Sequence, residues 1–179
     1  MTDRLQIAFA QLNQTMGDLR GNADAMLAAR SKQPADLVVT CELSLIGYPP
    51  EDLVLKPSLV RAAEAELQRM AEATADGGPA MLVGSVLAED GKLHNAMALL
   101  DGGKIAAWTR KHELPNYGVF DEKRVFAPGP LPGPLAFRGV RLGVPVWEDI
   151  WFPDVCEWLA GTGAEVPLVP DGRPYELDK

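Results

Sequence analysis

Three apolar runs in this chain end on side chains that could do chemistry. Glu42 follows LVVTC, Lys111 follows IAAWTR, and the turn at 147–149, Trp-Glu-Asp, follows GVPV. A carboxylate can take a proton from a nucleophile, an ammonium can stabilise a developing oxyanion, and a strand-end turn can present the attacking atom. Ligands of alternating α/β sheets gather beyond the carboxyl ends of the strands, so these three positions come first. Each has an ordinary alternative. A Glu after a strand is often solvated or caps a helix, a Lys there often lies on the surface, and a Trp can simply cover the sheet end. Cys41 adjoins Glu42, but neighbours in an extended strand point to opposite faces. Glu51 and Asp52, after Pro50, read as a helix-start charge pair rather than an acid/base dyad.

The elements that must position these residues follow from the hydrophobic pattern. RLQIAFAQLNQ (4–14) alternates Leu5, Ile7 and Phe9 against Ala8 and Ala10, as a strand buried on both sides would. An Ala-rich helical segment and a second apolar strand, 37–39, follow it, and the β–α–β order predicts a parallel crossover. Residues 57–76 place Leu59, Ala63, Leu67, Met70 and Ala71 near helical spacing, and Gly77-Gly78 ends that helix. Turn signals at Asp90-Gly91 and at 101–103 predict a meander of three strands. Residues 114–135 are rich in Pro and Gly and predict a long ordered loop, of the kind that often carries function. GVRLGVPVW is the next strand, FPDVCEWLAGTG a helix with Cys156 and Leu159 inward, and AEVPLVP a last strand.

With 179 residues the chain supports one packed core. Its formal charge of −8, with no concentration of Lys and Arg, argues against nucleic acid as a partner. The N-terminus lacks the apolar segment of a signal peptide and no apolar run is long enough to span a bilayer, so a cytoplasmic protein without a membrane partner is expected. The cysteines, Cys41 and Cys156, are expected as thiols, and His94 and His112 lie outside any metal-ligand spacing.

CELSLIGYPPEDL, KHELPNYGVFDEKRVF, GVPVWEDIWFPDV and LVPDGRPYE, in this order and spacing, resemble the nitrilase superfamily. Within it they are most similar to the glutamine-hydrolysing domains of glutamine-dependent NAD synthetases, over residues 4 to 179. The resemblance implies an α/β fold, a four-layer α–β–β–α sandwich whose C-terminal part lies beyond this sequence, with a Glu–Lys–Cys triad. The Glu of the family motif falls on Glu42, the Lys before LPNYGVFDE falls on Lys111, and the nucleophilic cysteine of a CEDIW motif falls on Trp147. Tyr48, Tyr117, Glu148, Trp151 and Arg173 are implied as substrate-binding. In the family, the thiolate attacks the glutamine side-chain amide, and the freed ammonia travels to a synthetase domain. That domain uses ATP and Mg to amidate nicotinic acid adenine dinucleotide; the glutaminase step needs no cofactor. Identical subunits are expected to associate.

The departures from the family pattern fall near the implied site. Trp147 supplies no thiolate, and loss of a nucleophile that works as one unit with its base costs on the order of 10^6 in rate. The expectation is a family member that does not hydrolyse glutamine, or a nitrilase-like module with a docking role. Cys41 stands where the family usually has Pro. Asp171, Gly172, Arg173 and Pro174 replace an Asn-Gly-Ser-Pro-like string, and Pro167 removes a ladder donor from an expected central strand. No SGGxDS-type pyrophosphate loop occurs in these residues.

Overall fold

The computed structural model describes residues 4–172. β1 (Ile7–Ala10), α1 (Leu19–Arg30) and β2 (Leu37–Thr40) make a parallel crossover, with Ile7 opposite Leu37 and Ala10 opposite Thr40. The Asp18 carboxylate caps α1 by accepting the Gly21 N–H at 3.0 Å. α2 (Pro57–Ala73) makes a second crossover to β3 (Ala80–Glu89), which runs parallel to β2. Pro57 sits in the first turn of α2, where a missing N–H leaves no bond unmade. A 3-10 turn at Thr74–Asp76 and Gly77, at φ 78°, then release the chain. β3, β4 (Lys92–Asp101) and β5 (Lys104–Arg110) form the meander read from the Gly-containing turns, and the sheet order is β1-β2-β3-β4-β5.

A smaller sheet contains β6 (Leu135–Phe137), β7 (Val140–Gly143) and β8 (Val166–Pro167), in that order. Between β7 and β8 lie a 3-10 turn at Trp147–Trp151 and α4 (Pro153–Gly161). α1 and α2 cover one face of the large sheet, where Met26, Leu67 and Met70 meet Met81, Val83 and Leu100. The opposite face packs on the small sheet, Leu37, Leu82 and Met97 against Phe137, Leu142 and Leu168. Fully burying side chains of this size stabilises by about 1.5–3 kcal/mol each. α4 lies against β7, and Ala164 sits so near Gly143 that an added Cβ there would meet it at 3.0 Å.

Several expectations change. β1 is shorter than 4–14 and only half-buried, with Phe9 59% exposed, because it has a single strand neighbour and lies at the sheet edge. The 114–135 segment is not wholly irregular: α3 (Glu122–Val125) interrupts it and buries Glu122. Cys156 does not face inward; Val155 and Leu159 are the buried residues of α4. β8 is the edge strand of the small sheet among the described residues, and beyond Pro167 the ladder continues through the Leu168 N–H to Gly143 O at 2.8 Å.

Candidate active site

The large sheet and the elbow after β7 bring Glu42, Lys111 and Trp147 to one place. Gly84 on β3 makes this possible for Glu42. A Cβ at Gly84 would lie 2.3 Å from Cys41 O and 2.4 Å from Leu43 N, so only glycine lets the end of β2 cross so closely. Leu43, at φ 48°, and Trp147, at φ 32°, both occupy the left-handed region that bulky residues avoid. Such strain costs about 1–3 kcal/mol per residue and persists where the surroundings over-determine the turn. At the elbow they do. Asp149 accepts from the N–H groups of His112 at 3.1 Å, Glu113 at 2.7 Å and Val146 at 2.9 Å, stapling the elbow to the segment just after Lys111. Burial raises the Asp149 pKa in spite of these donors.

Lys111 is fully buried between two carboxylates. Its Nζ lies 2.6 Å from Glu42 Oε1 and 2.9 Å from Glu122 Oε1. Asn95 Nδ2 donates to Glu42 Oε1 at 2.7 Å and to Glu122 Oε2 at 3.3 Å, and the Tyr48 hydroxyl donates to Glu122 Oε1 at 2.8 Å. Burial pushes Glu42 up to about 7; Lys111 pulls it down, and Glu122 pushes it up again. Burial also works against the Lys111 charge, but the two carboxylates outweigh it and hold its pKa raised. Burial, with Glu122 and Glu42 nearby, raises Tyr48 strongly, so it stays a neutral donor. This cluster can take and return a proton at neutral pH while keeping an ammonium in place.

Trp147 occupies the remaining side. Its ring centroid lies 4.7 Å from that of Phe120 and 5.3 Å from Lys111 Nζ, within cation–π range. Phe120 in turn packs edge-on against Tyr117, with ring centroids 5.5 Å apart, and lies tilted against Tyr48 at 6.3 Å. The void lined by Tyr48, Phe120 and Glu122 is about 20 Å³, room for one water. Tyr117, 55% exposed, donates its hydroxyl to the buried Glu148 at 3.0 Å. Trp151 is 62% exposed and turns to solvent rather than into the cluster. Arg173 lies outside the described residues. Burial, with Asp171 and Glu42 nearby, raises the Cys41 thiol and disfavours its thiolate.

The sequence reading did not single out Glu122, Asn95 and the stapling by Asp149. A signal for Asn95 was present, since His94 and Asn95 interrupt the otherwise apolar KLHNAMALL, and a buried polar residue in such a strand needs a partner. Among the described residues, no three His, Cys, Asp or Glu side chains gather as metal ligands would. No described helix is long and apolar enough to cross a membrane.

Comparison with known proteins gives a consistent set of likenesses. The carbon-nitrogen hydrolase family model matches residues 6–176. Glutamine-dependent NAD(+) synthetase of Rhodobacter capsulatus is 45% identical over 182 residues, covering 100% of this chain and 33% of that relative. The Xanthomonas campestris enzyme of the same name is 40% identical over 181 residues, covering 98% of this chain and 32% of its own length. The chain thus spans about one third of these curated relatives. Among solved structures, glutamine-dependent NAD+ synthetase of Acinetobacter baumannii, in complex with ADP, superposes with a TM-score of 0.86 at 35% identity, covering 97% of this chain and 33% of that one. An amidase from Nesterenkonia, captured with acrylamide added to its active-site cysteine, superposes with a TM-score of 0.78 at 29% identity, covering 94% of this chain and 67% of that one.

Proposed function

This chain belongs to the carbon-nitrogen hydrolase family, and on that premise we propose that it is the glutamine-hydrolysing part of a glutamine-dependent NAD synthetase, silenced at Trp147. One observation carries the proposal: an indole occupies the strained elbow beside a buried Glu42–Lys111–Glu122 cluster. With a thiol at the elbow the chemistry closes. Glu42 takes the thiol proton, the thiolate attacks the amide carbon of glutamine, and the Lys111 ammonium stabilises the oxyanion. The C–N bond then breaks as the amide nitrogen takes the proton back from Glu42 and leaves as ammonia, and water resolves the thioester to glutamate and the free thiol. Tyr48, Tyr117 and Glu148 flank the approach, and Arg173 is assigned to substrate in the same reading. The fold belongs to it too, as a four-layer α–β–β–α sandwich of which residues 1–179 are the N-terminal portion.

The reading extends to partners. The ammonia would pass to a synthetase domain that uses ATP and Mg, in a cytoplasmic homo-oligomer. The test is covalent capture. A glutamine-directed electrophile should add once to Trp147→Cys, at residue 147, and leave the parent chain unlabelled by intact mass. A folded revertant that takes no label overturns the proposal. A second reading, a non-catalytic docking module, draws on Trp151 and Phe152, just before α4, and Trp158 within it, which are 62%, 40% and 47% exposed. Loss of glutamine binding by calorimetry, with assembly intact, would favour it.

A further inference from the structure

We infer that Asn95 is a positioning residue for the proposed reaction, holding Glu42 so that one carboxylate oxygen is left to act as the base. The inference rests on the functional reading above and on the geometry of one side chain. Asn95 lies on β4, fully buried, and its backbone oxygen accepts the Lys111 N–H at 2.8 Å. Its Nδ2 spends one hydrogen on Glu42 Oε1 and the other on Glu122 Oε2. The same residue therefore fixes the backbone of the ammonium and the side chains of both carboxylates.

The distribution of donors on Glu42 is lopsided. Oε1 accepts from both Lys111, at 2.6 Å, and Asn95, at 2.7 Å. Oε2 is buried and has no partner among the described residues. A buried carboxylate oxygen without a donor is costly, so it is where a proton will go. Two carboxylates around one ammonium also leave an excess negative charge out of water, a state a donor shared by both makes tolerable. Without that donor Glu42 holds its proton more tightly, and a protonated base accepts nothing.

A residue that merely filled the core would not control the titration of its neighbour, so the titration of Glu42 is the readout. It is followed by the carboxyl C=O infrared band of the chain as it stands, assigned by its loss in Glu42→Gln. In the parent, burial holds this carboxyl above the usual carboxylate range. Asn95→Leu removes the amide, and Asn95→Asp keeps its shape while removing the donor; both should move the midpoint up by about one pH unit or more. An unmoved midpoint in a folded variant overturns the inference. The unmutated protein gives a second measurement: the Asn95 side-chain amide resonances should shift with the midpoint of Glu42, and invariant resonances overturn the inference equally. In Trp147→Cys, Asn95→Asp should move the acid limb of kcat/KM upward while the KM for glutamine holds. A revertant that releases no ammonia while the infrared midpoint still moves would remove the functional reading and leave the hold of Asn95 on Glu42 supported. An active revertant with an unmoved limb would remove only the inference.

Discussion

At Trp147 an indole π face lies beside the Lys111 ammonium, where the family would place sulfur and, during catalysis, negative charge. A π face attracts the cation, so the buried ion cluster keeps a favourable neighbour on that side, while an indole offers no nucleophile. Lys111 is the residue on which that cluster depends. Lys111→Met would leave Glu42 and Glu122 facing one another without their shared cation, and should destabilise the chain by about 3–5 kcal/mol, read from its urea midpoint. A loss under about 1 kcal/mol would mean that the carboxylates had found other donors. Glu42 makes a separate prediction about pH. Its folded pKa, about 7, lies above its usual 4.5, so between these values the folded state binds more protons than the unfolded state. Its contribution to stability is therefore fully present below about 4.5 and falls as pH rises to about 7. Asp76 and Asp24, held down respectively by Arg30 and by Arg69 with Arg20, act in the opposite sense at lower pH. The Glu42→Gln difference isolates the slope: stability measured from pH 4.5 to 7 should decline less steeply in the variant. Parallel profiles would contradict the assignment.

Among the elements, β2, β3 and the elbow bear most directly on the site, because Glu42 leaves β2 only by passing over Gly84. Gly84→Ala would press a methyl into the Cys41 and Leu43 backbone, which cannot rotate away. It should cost about 1–3 kcal/mol and lower any glutamine binding restored in Trp147→Cys, measured together by thermal shift and calorimetry. Normal binding in a folded variant would show that the crossing is not needed to aim Glu42. The sequence made the large sheet legible because its signals were local. Periodic Leu67 and Met70, the Asp90-Gly91 turn and the alternation of apolar runs with a helix each act within a few residues. The half-exposure of β1 was not legible, since Phe9 is apolar whether or not a second strand lies beside it. Glu42, Lys111 and Trp147 could be found as strand-end residues. Glu122 could not, because its burial depends on a four-residue helix inside a Pro- and Gly-rich loop and on a lysine reached by folding. Cys156 misled because its helix buries a stripe containing Val155 and Leu159, with Cys156 beside it but outward.

For the whole molecule, a chain spanning about one third of its curated relatives brings a buried ion cluster and an elbow together within its described residues. The large sheet and α2 supply the core, the small sheet packs on its other face, and the cluster gathers beyond the ends of β2 and β5. That placement follows the rule for α/β sheets and owes nothing to the identity of residue 147. The account's central claim is that this scaffold is competent and its nucleophile is missing. The most direct test is ammonia release from glutamine by the parent and by Trp147→Cys, assayed side by side under identical conditions. The account predicts no release above background from the parent and turnover from the revertant. Equal silence from a folded revertant that binds glutamine would contradict it, as would ammonia released from glutamine by the parent.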